Sequence, residues 1–216
     1  MKIAVDGTHN DNRESGGILP EDQARAEVYA LLSNLFYQPP SAELLQMIAG
    51  SQTLCNDSGN NNSGFCQAWR ALREAAANVD VDALKGEFDT AFIGTGRQPV
   101  MLYGSFYLAG FLNEKPLAQL RDELAKMGLE RSGKSHETED HISALCDVMR
   151  FLIAGDQDMP PAALDTQRDF FTRNIKSWHS QLCDAVIGAS QTHFYKHVAQ
   201  FAREFFSIEN ESFAYA

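Results

Sequence analysis

Residues 24–40 read Ala-Arg-Ala-Glu-Val-Tyr-Ala-Leu-Leu-Ser-Asn-Leu-Phe-Tyr-Gln-Pro-Pro. Ala24, Val28, Leu31, Leu32, Leu35 and Phe36 recur at three- and four-residue spacing, which puts them on one stripe of a helix. Pro39-Pro40 ends it, because proline lacks a backbone N–H and clashes with the preceding turn. The same period continues along the chain. Leu44, Leu45 and Ile48 form a short second helix closed by Gly50. After a polar loop over 51–64, Phe65, Trp69, Leu72 and Ala76 mark a third, and Asp80 caps a fourth carrying Val81, Leu84, Phe88 and Phe92.

Gly94-Thr-Gly-Arg-Gln-Pro99 breaks the pattern as a loop, and a helix over Ser105 to Leu112 follows. Pro116 suits a first helical residue, with Leu117, Leu120, Leu124 and Met127 behind it and Gly128 as the stop. Residues 129–137 are a polar connector and a candidate hinge. Ile142, Leu145, Cys146, Met149, Leu152 and Ile153 make a strong apolar face that ends at Gly155. Pro160-Pro161 opens a helix with Leu164, Phe170, Phe171, Ile175 and Trp178. Leu182 and Val186 mark a short one, and the last runs from about Gln191 to Phe206. No alternating strand pattern is visible. The expectation is an all-α fold: a single helical domain of nine to ten helices over 20–216, bilobed if the hinge acts, behind a flexible polar arm at 1–19.

The chain has 216 residues, enough to build a core without staples. Its 29 acidic and 18 basic residues leave a net charge of −11, a poor match to nucleic acid and a good one to a cationic partner. No apolar run is long enough to span a membrane, and the N-terminus lacks the apolar segment of a secretory signal, so a cytoplasmic address with no stable membrane insertion is expected. Cys55, Cys66, Cys146 and Cys183 are widely spaced, and reduced, mostly buried thiols are expected of them.

The densest polar cluster is His136-Glu-Thr-Glu-Asp-His141 at a predicted helix start. Three readings are open. His136, Glu139, Asp140 and His141 offer imidazole and carboxylate ligands, which would make a metal-dependent hydrolase the alternative function. Acids at a helix N-terminus also simply complement the helix dipole. The third reading is a ligand-recognition patch. Elsewhere catalytic signals are absent. His193 and His197 lack the glutamate of a zinc protease helix, Gly94-x-Gly96 lacks the rest of a nucleotide fingerprint, and Ser105 lacks a nucleophile elbow. Tyr103, Phe106 and Tyr107 lie beside the glycine loop, where they can line a groove.

Four ordered blocks carry a resemblance. The first is Arg25-Ala-Glu-Val-Tyr29 through Leu-Leu32 and Phe36 to Pro39-Pro40. The second is Glu87-Phe88-Asp89-Thr-Ala-Phe92-Ile-Gly94 with Tyr103-Gly-Ser105-Phe-Tyr107-Leu108. Then come Glu137-Thr-Glu-Asp140-His141-Ile142, and Phe170-Phe171, Trp178 and Phe194-Tyr195. Together they resemble the TorD/DmsD family of cytoplasmic chaperones for molybdenum redox enzymes. The sequence departs from the family pattern at Gly104, Thr138, Asn174 and Ser177.

The resemblance implies a chaperone rather than an enzyme, with no cofactor of its own. Its partners would be the twin-arginine signal peptide and the apo-form of a molybdenum oxidoreductase, held until its cofactor is inserted before export. Carried onto this chain, the peptide-binding residues would be Tyr103, Ser105, Asp140 and His141, with Glu137 nearby. The chemistry suits them. Guanidinium groups pair best with planar carboxylates, which Glu137, Glu139 and Asp140 supply, with Asp89 as a further candidate. The apolar part of such a peptide needs walls, for which Phe92, Tyr103, Phe106 and Tyr107 are candidates. His141 either orients Asp140 or serves as a cap or core histidine. The connector at 129–137 allows a monomer or a domain-swapped dimer.

Overall fold

The computed structural model of the chain describes residues 3–5, 18–51, 54–55, 63–94, 98–112, 115–131, 137–157 and 159–215. Most of the N-terminal arm expected at 1–19 lies outside them, as does His136. The described residues are helical nearly throughout, as the periodicity predicts. In chain order they form β1 (Ile3–Val5), α1 (Pro20–Tyr37), α2 (Ala42–Gly50), α3 (Gly64–Asn78), α4 (Val81–Phe88), α5 (Gly104–Ala109) and α6 (Lys115–Lys126). β2 (Leu129–Arg131), α7 (Ile142–Ala154), α8 (Leu164–Phe171), α9 (His179–Gly188) and α10 (Phe194–Tyr215) complete them.

Two compact units divide the chain. One holds residues 1–37 and 103–177, the other 38–102 and 178–216. The crossings therefore fall at 37/38, 102/103 and 177/178, and not in the connector at 129–137 where a hinge was expected. Part of that connector has another task. Leu129–Arg131 is a strand, paired antiparallel with Ile3–Val5, so that Ala4 faces Glu130. This short sheet corrects the expectation of no strand. Three-residue strands are too short for alternation to stand out in a sequence.

In the first unit, α1 packs along α7. Tyr29, Leu32, Leu35 and Phe36 on α1 are at most 1% exposed, and so are Ile142, Leu145, Cys146 and Met149 on α7. Burying each large apolar side chain contributes about 1.5–3 kcal/mol, so this seam accounts for much of the unit's cohesion. Ser33 and Ser143 meet within it, their hydroxyls 3.3 Å apart. α8 packs on α7 as well. Pro160-Pro161 does not open α8, which starts at Leu164. Instead, the amide of Ala162 donates to the carbonyl of Leu152, tying the proline segment back onto α7.

In the second unit, α10 packs on α3 and α9, and α2 packs on α3. The α3–α10 seam is aromatic. Phe201 lies 5.1 Å from Trp69 and 5.2 Å from Phe65, ring centre to ring centre. Helix α10 runs nine residues past the expected end at Phe206. Buried Glu209 sits in its apolar stripe between Phe206 and Phe213 and masks the period. Each unit also has a π-helical turn, Asp89–Ile93 after α4 and Thr172–Lys176 after α8. Cys55 and Cys66 form a disulfide, with Cα atoms 5.8 Å apart, against the expectation of free thiols. The first turn of α3 brings Cys66 to Cys55, a proximity that a spacing of 11 does not encode. Cys146 and Cys183 are buried thiols outside any disulfide, as expected.

Candidate functional site

The polar cluster at 137–141 meets the start of α5 within the first unit. Gly104 donates its amide to the carbonyl of Asp140 at 2.9 Å, and Tyr103 bridges to His141 in antiparallel fashion. This short ladder puts the Asp140 carboxylate at the N-terminus of α5. There its Oδ2 accepts from the Ser105 amide at 2.9 Å. Its Oδ1 accepts from the Thr138 hydroxyl at 2.6 Å. Asp140 is thus a cap supplied from a distant segment, satisfying an amide that the six-residue helix cannot. Asp140 and Ser105 are both buried.

His141 caps the next helix. Its Nδ1 accepts from the Ser143 amide at 3.2 Å, so the imidazole must be neutral at that nitrogen. Burial pushes its pKa down to about 4, against the pull of Glu137 and Asp140. Its ring stands edge-on to Tyr103, 5.0 Å between centres. The Tyr103 hydroxyl donates to Glu137. Burial and the Glu137 carboxylate raise the Tyr103 phenol well above its usual range. Tyr103, Ser105, Glu137, Asp140 and His141 therefore form one hydrogen-bonded and stacked group.

The residues offered as metal ligands diverge. Asp140 turns to α5, His141 to α7, and Glu139 pairs with Arg121 of α6 at 2.9 Å. Among the described residues no group of three His, Cys, Asp or Glu side chains is placed to hold a metal ion. The hydrolase alternative finds no support.

Beside this group lies a cleft of about 330 Å³, lined by Ser105, Leu108, Leu120, Glu123, Asp140 and Arg173, among others. Leu108 is 44% exposed, and the chain continues from it into Phe111 and Leu112, 70% and 41% exposed. Gly110 makes this turn possible, with a left-handed φ of 81° at the end of α5. Phe106 is half-buried and stacks edge-on against Tyr107 at 5.3 Å. Asp89 and Phe92 belong to the second unit. Asp89 is exposed on the π-helical turn. Phe92 is 4% exposed, packed against Phe88 and Tyr195 at 5.2 and 4.9 Å.

Three site features escaped the sequence reading. Thr138 orients Asp140. Glu123 and Arg173 meet across 50 residues, and no local spacing signals such a pair. The exposed run from Leu108 to Leu112 reads in sequence as part of an ordinary amphipathic helix.

Known proteins resemble this chain in sequence and in fold. A family model described as the nitrate reductase delta subunit matches residues 59–184. The chain is 28% identical over 173 residues to the chaperone protein TorD of Vibrio cholerae (strain M66-2), covering 73% of this chain and 77% of that one. It is 25% identical over 206 residues to the TorD chaperone of Aliivibrio fischeri, covering 87% and 94%. The solved structure of a proposed redox enzyme maturation protein from Archaeoglobus fulgidus superposes with a TM-score of 0.55 at 19% identity. It covers 93% of this chain and 99% of that one, a likeness of fold. Fold and relatives together define an all-helical chaperone of molybdoenzyme maturation. The chain belongs to the nitrate reductase delta subunit family, in the TorD/DmsD group that its motifs resemble.

Proposed function

We propose that this protein binds the twin-arginine signal peptide of a molybdenum oxidoreductase precursor in the cytoplasm, and holds the apo-enzyme until its cofactor is in place. It acts by binding, not by catalysis. The observation that carries this reading is the pairing of Asp140, on the wall of a cleft, with the exposed apolar run Leu108, Phe111 and Leu112. A twin-arginine peptide has the same two parts: guanidinium groups, then an apolar stretch. A planar carboxylate binds guanidinium through paired hydrogen bonds, and an apolar rim accepts the rest. The net charge of −11 favours encounter with a cationic peptide.

Calorimetric titration with twin-arginine signal peptides at low and high salt tests the reading. Saturable binding is expected, weakened by salt and by replacing the two arginines with lysines. No binding to the signal peptide of any molybdoenzyme encoded in the same genome would overturn it.

A further inference from the structure

The cleft beside Asp140 shares a wall with a second, wider one of about 600 Å³ that adds Asp122 and Asp169. Gln119, Glu123 and Arg173 line both. Glu123 on α6 is therefore a divider between them, and its carboxylate is filled from within the protein. Arg173 donates to Glu123 Oε1 through Nη2 at 2.8 Å and Nε at 3.2 Å, and Asn174 donates to Oε2 at 3.0 Å. The two partners differ in exposure: the Glu123 side chain is 19% exposed and that of Arg173 is 58%. Arg173 also has a second acid within reach, Asp169 at 3.8 Å.

We propose that Glu123 is a guanidinium acceptor for the peptide's arginine, alongside Asp140, and that Arg173 is a built-in competitor which occupies it in the free protein. This inference rests on the signal-peptide reading and adds to it the residues that set affinity. A guanidinium already seated on Glu123 demonstrates that the site accepts that group. The pair is more than half exposed on the arginine side, so its own stability is small and an incoming ligand can replace it. The incoming arginine brings further contacts, because its chain can continue onto the exposed apolar run that starts at Leu108 on the cleft wall. Arg173, once displaced, turns to Asp169 and water. Lysine is the weaker ligand, since an ammonium cannot make the paired, planar contact. The competitor thus raises the threshold for every cationic segment, and only a peptide that also engages the rim overcomes it.

The test is calorimetric titration of the full-length chain with a twin-arginine signal peptide, comparing wild type, Arg173→Ala and Glu123→Gln. Removing an exposed competitor is expected to tighten binding about two- to five-fold in Arg173→Ala. Glu123→Gln is expected to bind about tenfold more weakly. If Glu123→Gln proves unfolded by circular dichroism, the Arg173→Ala arm alone decides. Equal or weaker binding by Arg173→Ala, next to a wild type that binds, overturns this inference and leaves the signal-peptide reading standing. A silent wild type beside a binding Arg173→Ala overturns the reading and this inference with it, because a two- to five-fold gain does not turn absent binding into saturable binding. Silence from both overturns the inference and the reading together.

Discussion

Asp140 caps α5 across a gap of 35 residues, its Oδ2 accepting the Ser105 amide at 2.9 Å while Thr138 holds its other oxygen. One carboxylate therefore serves two ends. It satisfies an orphan amide of a short helix, and it puts negative charge on the wall of the cleft. The two roles separate by substitution. Asp140→Asn keeps an acceptor oxygen and loses the charge, so it is expected to fold normally and lose about tenfold in affinity for a twin-arginine peptide. Asp140→Ala loses both and is expected to cost about 1–2 kcal/mol of stability as well. Thermal unfolding beside peptide titration checks the pair. Equal affinity in Asp140→Asn and wild type would remove Asp140 from the site.

His141 makes the stability of the first unit depend on pH. An ordinary histidine has a pKa of 6.5, and burial lowers that of His141 to about 4. Between those values the unfolded chain takes up the proton more readily than the folded one. Stability is thus fully present above pH 6.5 and falls as pH drops towards 4, by about 3 kcal/mol at most. Protonation also removes the Nδ1 lone pair that accepts the Ser143 amide. Glu137 and Asp140, the acids acting on the ring, soften the effect and do not reverse it. His141→Asn keeps a capping oxygen and removes the titration. Its stability is expected to be flatter between pH 4 and 6.5, measured by urea unfolding across that range.

A second distant cap holds the second unit. Glu87, on α4, accepts the amides of His193 and Tyr195 on Oε1 at 2.9 and 2.8 Å, and that of Phe194 on Oε2 at 3.1 Å. These are amides that open α10, and a carboxylate there also meets the positive end of a 22-residue helix. Glu87→Ala leaves three amides without this partner and is expected to destabilise the unit by about 2–4 kcal/mol. Hydrogen exchange should quicken at His193 to Tyr195 before it quickens on α7. Unchanged protection at those three amides would reject this role for Glu87.

These caps mark the boundary of what the sequence reveals. Helices α1, α3 and α7 are legible because each carries its stripe within a few turns, and Asp80 is legible as a cap because its target, Ala83, lies three residues away. Glu87 and its amides stand more than 100 residues apart, and Glu123 and Arg173 stand 50 apart. Nothing local encodes such meetings. The Cys55–Cys66 bridge and the pairing of Ile3–Val5 with Leu129–Arg131 escape for the same reason. Of the proposed site residues, Tyr103, Ser105, Glu137, Asp140 and His141 do come together, since the bridge from Tyr103 to His141 joins their two segments. Phe92 carries the aromatic character of a groove wall but is buried in an edge-on cluster with Phe88 and Tyr195. Sequence identifies an aromatic residue but not which of its faces is already covered.

The apolar rim separates peptide recognition from general charge attraction. Phe111 is 70% exposed and Leu108 is 44% exposed, so neither contributes much to folding. A free protein gains little from holding a phenylalanine in water, whereas a bound apolar segment would cover it and recover about 25 cal/mol for each Å² removed from water. Phe111→Ser is therefore expected to leave the thermal midpoint unchanged and to weaken a full signal peptide about five- to tenfold. A truncated peptide with the two arginines and no apolar stretch should bind wild type and Phe111→Ser alike. Equal losses for both peptides would mean that Phe111 acts through the fold, and no loss for either would place the apolar contact elsewhere.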